Sequence, residues 1–149
     1  MKIAAVVDST CLIGLERIGR LDILPAILDP ILVPPAVVSE FGSHPGWLTV
    51  LSPVNSGTVA ALKLIVDIGE AEAIAVAQER GCRIILDDRK ARMVAQRLGI
   101  PVTGTVGILL KAKGAGVIPT VLPLLDALDA HNFHVSRELR AEALRVAGE

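Results

Sequence analysis

Short apolar runs alternate along the chain with segments whose apolar residues recur at helical spacing. Residues 3–7 form a continuous apolar run without alternation, as expected for a strand that is buried on both faces of a sheet. Residues 89–98 instead place Ala91, Ala95 and Leu98 on one face of a helix. This alternation of strand and helix patterns predicts an α/β domain with a parallel sheet.

The same patterns set the expected extent of each element. They predict strands at residues 3–7, 31–33, 47–51, 83–86 and 101–103. They predict helices at residues 11–18, 21–28, 36–41, 58–67, 69–80, 89–98, 106–115, 121–130 and 137–147. Pro35 suits the first position of a helix, where a missing backbone N–H costs nothing.

The composition narrows the class of protein. A chain of 149 residues, 52% of them hydrophobic, favours one domain over residues 1–149 with a sizeable core. No apolar stretch approaches the roughly 18–20 residues of a membrane span, and the first apolar run is too short for a signal peptide. Cys11 and Cys82 lie far apart in apolar surroundings, which favours reduced core residues of a cytoplasmic protein. The net charge of −1 gives no electrostatic sign of a nucleic-acid partner, so any such role must be argued from positions.

Acidic residues follow two of the predicted strands. Asp8 comes directly after the first strand, and Asp88 follows the strand at residues 83–86, with Asp87 beside it. Ligands of open parallel sheets bind at the carboxyl ends of the strands. We therefore expect these acids to lie at one edge of the sheet.

Helical spacing brings two further acids toward the apolar faces of their helices. Glu40 comes three residues after Val37 and belongs to the same stripe. Glu70 shares a face with Ile74, whereas Glu72 falls about 200° away around the helix. We therefore expect Glu70 to point inward and Glu72 to point outward.

Converging carboxylates need compensation. At about 5 Å and an effective dielectric near 20, each like-charged pair costs roughly 3 kcal/mol. Bound protons or a hard divalent cation would relieve the repulsion, and all-oxygen ligation suits Mg²⁺ or Mn²⁺. Such sites usually serve phosphoryl transfer or phosphodiester hydrolysis. Taken singly, Asp8 or Asp87 could equally be a helix N-cap, and Glu70 could favour the dipole of a first helical turn.

The segments that carry these acids resemble a known family. VVDST, VPPAVVSEF, GEAEAIAVA, LDDRKAR, VTGTVGILLKAK and FHVSREL are together similar to the PIN domain, in that order and over nearly the whole chain. They are most similar to a bacterial and archaeal branch described as predicted nucleic-acid-binding proteins. That branch is close to the toxin ribonucleases of toxin–antitoxin pairs.

The resemblance implies a fold, a reaction and a set of residues. It implies a three-layer α/β/α fold with strand order 3-2-1-4-5 and RNA cleavage that depends on Mg²⁺ or Mn²⁺. The family's acids match Asp8, Glu40, Glu70 and Asp88, and its small hydroxyl residue, next to the RNA, matches Ser9. The usual Thr-x-Asp motif of the fourth strand reads Leu86-Asp87-Asp88 here, and spacing favours Asp88 over Asp87.

Basic and aromatic residues complete the expected RNA site. Arg89 and Arg92 lie three residues apart on one helix face beside the acids, where they could hold RNA phosphates or simply face solvent. Lys111 and Lys113 do not share a face and are expected in solvent. The few aromatic residues are scattered, so we expect RNA to be held through phosphates and shape. The histidines at 44, 131 and 134 are expected in loops away from the acids.

The partners and alternatives follow from these features. Two adjacent helices are crowded with apolar residues, which predicts a homodimer: Leu12, Ile13, Leu15, Ile18, Leu21, Ile23 and Leu24. The resemblance adds a small antitoxin-like protein that would cover the acidic edge. One alternative is a receiver-like domain that accepts a phosphoryl group, with Thr103 and Lys111 near the acids. Another is a PIN module that binds nucleic acid or protein without cleaving.

Overall fold

The computed structural model describes residues 2–149 and contains one five-stranded parallel sheet. The strand order is β3-β2-β1-β4-β5. The strands are β1 (Ile3–Val7), β2 (Leu28–Val33), β3 (Leu48–Val50), β4 (Arg83–Ile85) and β5 (Val102–Thr103). Val6 of the central strand pairs with Leu32 on one side and with Ile84 on the other. The predicted α/β fold and strand order are confirmed.

Helices flank this sheet and connect its strands. They are α1 (Ser9–Arg17), α2 (Ile23–Ile27), α3 (Pro35–Phe41), α4 (Ser56–Leu62), α5 (Ile68–Arg80), α6 (Arg89–Arg97), α7 (Thr105–Gly114), α8 (Leu122–Ala130) and α9 (Arg137–Ala147). Helix α5 packs against β1, β4 and α3, whereas α7 packs against α2 and α9. Within the described residues, no helix has the length and apolar character needed to cross a membrane.

The apolar run of β1 forms the centre of the core. Ala5, Val6 and Val7 have no exposed surface, because strands cover β1 on both sides and helices cover its faces. Cys11 is buried and Cys82 is half-buried, and both are free thiols. Burial raises the pKa of the Cys11 thiol, so this group is packed as a neutral side chain.

Two predicted helix boundaries are wrong. The second helix ends at Ile27, because Leu28 enters β2 and pairs with Ile3. The predicted helix 58–67 ends at Leu62. The turn after it lets Asp67 become the N-cap of α5, which a helix continuing through residue 67 would prevent.

The apolar residues of α1 and α2 are core of a single chain. Leu12, Leu15, Ile23 and Leu24 have no exposed surface. Ile13, Ile18 and Leu21 are partly buried against the same core. The argument from these helices to a homodimer is therefore wrong, since their side chains already have partners within the fold.

Candidate functional site

Two acids stand at the carboxyl edge of the sheet, where β1 and β4 end. Asp8 follows β1 directly and is the N-cap residue of α1, although its side chain makes no capping hydrogen bond. Asp88 lies three residues after β4 and caps α6, with Oδ2 accepting a hydrogen bond from the Ala91 N–H at 2.9 Å. Both residues thus lie between the end of a strand and the start of the following helix, as the sequence predicted.

Asp8 is a buried carboxylate among other acids. Its exposed fraction is only 4%. Burial above all, with a contribution from the negative charges of Glu70, Asp67 and Glu40, raises its pKa to about 7, against the lowering effect of one backbone hydrogen bond at Ser9. A carboxyl group with this pKa carries a proton or a counter-cation near neutral pH.

Glu70 is the second buried acid of this edge. It occupies the first turn of α5 and is 8% exposed. Its Oε1 accepts from the Asp67 N–H at 3.2 Å, and its own N–H donates to Asp67 Oδ1 at 2.8 Å. Burial above all, with the charges of Asp67, Asp88 and Glu40, raises the pKa of Glu70 to about 7, although the backbone hydrogen bond from Asp67 opposes the rise. The inward direction predicted for Glu70 agrees with this burial.

Glu40 reaches the same edge from α3. Its side chain is exposed, and Oε2 accepts a hydrogen bond from Ser9 Oγ at 3.1 Å. The Glu40 carboxylate also lies against the backbone of Gly69 in α5. Ser9, which the resemblance placed next to the RNA, therefore fixes the position of an acid.

Asp67 is a fifth acid that the sequence analysis missed. It forms a reciprocal capping box with Glu70, in which each side chain accepts from the other's backbone N–H. Its charge raises the pKa of both Asp8 and Glu70. An acid three residues before a glutamate is the sequence pattern of a capping box at the start of a helix. Because the preceding helix was predicted to continue to residue 67, this pattern was not recognised.

The family comparison agrees with this arrangement of acids. A family model described as a PIN domain matches residues 4–149. The chain belongs to the PIN domain family. No curated protein and no solved structure matches it. PIN domains are generally nucleases that bind nucleic acid and typically use divalent metal ions.

The topology of this PIN domain also argues against the receiver-like alternative. Receiver-type doubly wound sheets have the strand order 2-1-3-4-5. Here β1 lies between β2 and β4, and β3 is at the edge of the sheet. The acids of the PIN domain therefore meet on a different scaffold from that of a phosphoryl acceptor.

Asp87 and Asp88 point to different parts of the PIN domain. Asp87 accepts hydrogen bonds from the N–H of Thr105 at 2.8 Å and from its Oγ1 at 2.6 Å. Burial raises the pKa of Asp87, and these bonds oppose the rise. Asp88 instead is close enough to raise the pKa of Glu70. Asp87 thus joins β4 to the start of α7, and Asp88 is the member of the pair that faces the other acids.

Basic residues near the acids differ in their contacts. Arg92 is half-buried and donates from Nη1 to the Leu86 carbonyl at 2.9 Å, whereas Arg89 is exposed. Lys113 is not in free solvent as expected, because its Nζ donates to the Ala147 carbonyl at 2.5 Å and to Glu149 at 2.9 Å. A role of Arg89 and Arg92 in RNA binding stays a prediction.

The outward direction predicted for Glu72 is wrong. Glu72 is half-buried, and its Oε1 accepts a hydrogen bond from the Ala36 N–H at 3.1 Å. This bond satisfies a free N–H in the first turn of α3, so Glu72 joins α5 to α3. Helix phase separated Glu72 from Glu70 correctly, but it could not show that another helix lies on that side.

The acids of this PIN domain fit a divalent cation by their chemistry. Asp8, Glu40, Asp67, Glu70 and Asp88 offer only carboxylate oxygens, the donors that Mg²⁺ and Mn²⁺ prefer. Across residues 2–149, no three His, Cys, Asp or Glu side chains stand close enough together to enclose a metal ion. The carboxylates are thus near enough to raise one another's pKa but not drawn into a closed coordination shell.

Proposed function

We propose that this PIN domain is a ribonuclease that hydrolyses RNA phosphodiester bonds with a divalent cation. The observation that supports the proposal is the pairing of buried Asp8 with buried Glu70, each with a pKa near 7 because burial and neighbouring acids disfavour its charge. Buried carboxylates with raised pKa values are concentrated at functional sites, because their mutual repulsion lowers the stability of the fold.

The four acids expected from the resemblance would hold the cation. Asp8 and Glu70 would contribute buried oxygens, and Glu40 and Asp88 exposed ones. Bound there, Mg²⁺ or Mn²⁺ would activate water and stabilise charge on the phosphate. Ser9 keeps Glu40 in place through its hydroxyl. Arg89 would attract RNA phosphates toward this edge.

A cleavage assay with defined cations tests the proposal. The purified protein is incubated with a labelled single-stranded RNA, and with DNA of the same sequence, in Mg²⁺, in Mn²⁺ or in chelator. We expect RNA cleavage that requires a cation and that is lost in Asp8→Asn. If RNA is cleaved neither in Mg²⁺ nor in Mn²⁺, the proposal is contradicted. RNA binding without cleavage would favour the non-cleaving PIN module.

We also propose a toxin-like role with a small antitoxin-like partner. The support is the resemblance to toxin ribonucleases and the openness of the acidic edge, where Glu40, Asp67 and Asp88 are exposed. Expression of the wild-type chain in a bacterial host should slow growth, and Asp8→Asn should not. Equal growth of the two strains would contradict the toxin role.

A homodimer remains a proposal, with a different surface as its support. Leu64 is 85% exposed, and Ile65 and Ile68 are more than two fifths exposed, around the turn between α4 and α5. Light scattering after size exclusion should show a dimer that Leu64→Glu converts to monomer. A wild-type monomer that persists at high concentration would contradict it.

The two free cysteines support a cytoplasmic location, which we likewise keep as a proposal.

A further inference from the structure

A groove opens beside the acidic edge, between α6, β5, α7 and α9. We name it the α6–α9 groove. Its volume is about 940 Å³. Asp88, Arg89 and Arg92 line it, and so do Phe133 and Leu139. The groove is therefore continuous with the proposed site of cleavage.

Part of the groove wall is apolar, although Glu142 of α9 also lines it. Val106 and Ala143 are buried beneath it, whereas Leu139 stays 46% exposed on α9. An apolar wall does not bind phosphates, because phosphates are bound by positive charges and hydrogen-bond donors. Its chemistry suits the flat, weakly polar face of a nucleobase.

Phe133 gives this wall an aromatic side chain in a fixed position. Its ring packs against Gly14 of α1, where an added Cβ would lie 2.8 Å from the ring atom Cδ2. The ring is half-buried and borders the groove. Phe133 and Asp88 therefore line the same groove, which the scattered positions of the aromatic residues in the sequence did not indicate.

Several polar side chains line the groove. Arg89 makes no ion pair or side-chain hydrogen bond within the described part of the chain, so its guanidinium is available to an anion. Asn132, His134 and Ser136, which are close to Phe133 in the sequence, also line the groove. His134 lies outside helices and strands, as expected. These side chains can donate to and accept from the edge of a base.

We propose that the α6–α9 groove binds the nucleotide of single-stranded RNA next to the bond that is cleaved. The phosphate lies toward Arg89, and the base stacks on Phe133. The volume is in the range of small-molecule sites, roughly 300–1,000 Å³. This proposal rests on the proposed ribonuclease function and adds to it a subsite in which one unstacked base lies against Phe133.

A matched pair of variants tests the groove. Leu139→Glu places a negative charge on its wall, and Leu98→Glu places the same charge on a leucine of similar exposure, 41%, at the far end of α6. Both are made in the Asp8→Asn protein, and anisotropy of a labelled 12-nucleotide RNA measures affinity. We expect Leu139→Glu to bind about tenfold or more weakly, because the added carboxylate repels the RNA phosphate in the groove, and Leu98→Glu to bind like its parent. Unchanged thermal unfolding shows that both variants are folded.

The positions at which RNA is cut provide a second test of the groove. Phe133→Leu keeps an apolar side chain but removes the ring, so sequencing of cut ends should show a weaker base preference at one position beside the cut. Cleavage by the wild-type protein together with equal RNA affinity of the two leucine variants would overturn the groove and leave the ribonuclease intact. If the wild-type protein neither binds nor cuts RNA, the proposed function itself is wrong. If Leu139→Glu keeps RNA affinity but loses a bound protein partner, the groove is a protein surface and the proposal is wrong.

Discussion

The carboxylate of Glu40 lies so close to Gly69 that a Cβ on Gly69 would overlap with Glu40 Oε1. Gly69 is the second residue of α5 and has an ordinary helical backbone, so nothing in its own conformation requires glycine. The missing side chain instead makes room for an acid of α3. The start of α5 therefore sets the position of Glu40 from one side, and Ser9 sets it from the other.

We expect Gly69→Ala to displace Glu40 without harming the fold. Alanine favours a helix over glycine by up to about 1 kcal/mol, and the group in its way is the far end of an exposed side chain. The stability should stay equal or rise, while Mn²⁺ affinity or cleavage falls by about 10- to 100-fold, as is typical when a group that positions a ligand is lost. Thermal unfolding and calorimetric Mn²⁺ titration measure the two effects.

Gly57→Ala is the control for this change. Gly57 is also the second residue of its helix, α4, and an added Cβ would lie 3.2 Å from Asn55 Oδ1, the N-cap oxygen. It has the same helical position but no acid of the site beside it. Equal Mn²⁺ affinity in Gly69→Ala and Gly57→Ala would show that Glu40 does not contribute to cation binding.

Asp8 and Glu70 should make the cation-free protein less stable as pH rises. Each has a folded pKa of about 7, above the ordinary values of 3.8 and 4.5. Over the interval between those values the folded state keeps protons that the unfolded state has lost, so their contribution is full below about pH 4 and is lost as pH rises through 7. Denaturant unfolding in chelator at pH 5, 6, 7 and 8 measures this slope.

Asp8→Asn should flatten that profile. The amide has no charge to bury, so the variant should match the wild type only below about pH 4, and its unfolding temperature should exceed that of the wild type by an increasing margin from pH 5 to pH 8. Cleavage should be lost at every pH. Asp22→Asn on the exposed turn before α2 is the control, since Asp22 pairs only with Arg20 at the surface. A wild-type profile that rises from pH 5 to pH 8 would show that the two acids are charged without cost.

The central strand could be predicted from sequence because its burial shows in its residues. Residues 3–7 have no polar position, which is the pattern expected of a strand covered on both faces of a sheet. The end of the fourth helix could not, because Leu64 and Ile65 continue the apolar pattern while the chain turns away, leaving both exposed. A local pattern does not reveal whether a neighbour covers it.

The candidate site divides in the same way. Asp8 and Asp88 were predictable because strand ends in a parallel sheet meet at one edge. The contacts of Glu72 with α3 and of Phe133 with α1 were not, since each depends on which helix packs beside it. The dimer argument failed for that reason too: apolar crowding in α1 and α2 cannot by itself distinguish a core from an interface.

Glu70→Gln should weaken cation binding, and Glu72→Gln should not. Both changes remove one charge from α5 and keep an amide oxygen that can accept the same backbone hydrogen bond, from Asp67 N–H or from Ala36 N–H. Only Glu70 faces the other acids. Mn²⁺ titration should therefore show a loss of about tenfold or more for Glu70→Gln, in the range for a lost carboxylate partner at a metal site. The reverse ranking would place the cation on the α3 side of α5.

Arg92 and Arg89 should separate stability from RNA binding. Arg92 donates to the Leu86 carbonyl and lies beside Asp87, whose carboxylate holds the first residue of α7. Arg92→Ala leaves that carbonyl and that buried acid without their cation, so we expect a loss of about 1–3 kcal/mol in the free energy of unfolding. The same truncation at exposed Arg89 should leave the unfolding free energy within about 0.5 kcal/mol.

The RNA affinity should rank the two arginines in the opposite order. Arg89 has its whole guanidinium free for a phosphate, whereas Nη1 of Arg92 already donates a hydrogen bond to the Leu86 carbonyl. Anisotropy titrations at two salt concentrations should show weaker binding and a smaller salt dependence for Arg89→Ala, because one fewer counterion is released per RNA bound. Arg92→Lys separates charge from geometry: an ammonium keeps the charge but lacks the planar fork that reaches Leu86 while facing Asp87. We therefore expect Arg92→Lys not to recover the stability that Arg92→Ala loses. Unchanged RNA affinity and salt dependence in Arg89→Ala would contradict the predicted role of Arg89 in holding RNA phosphates.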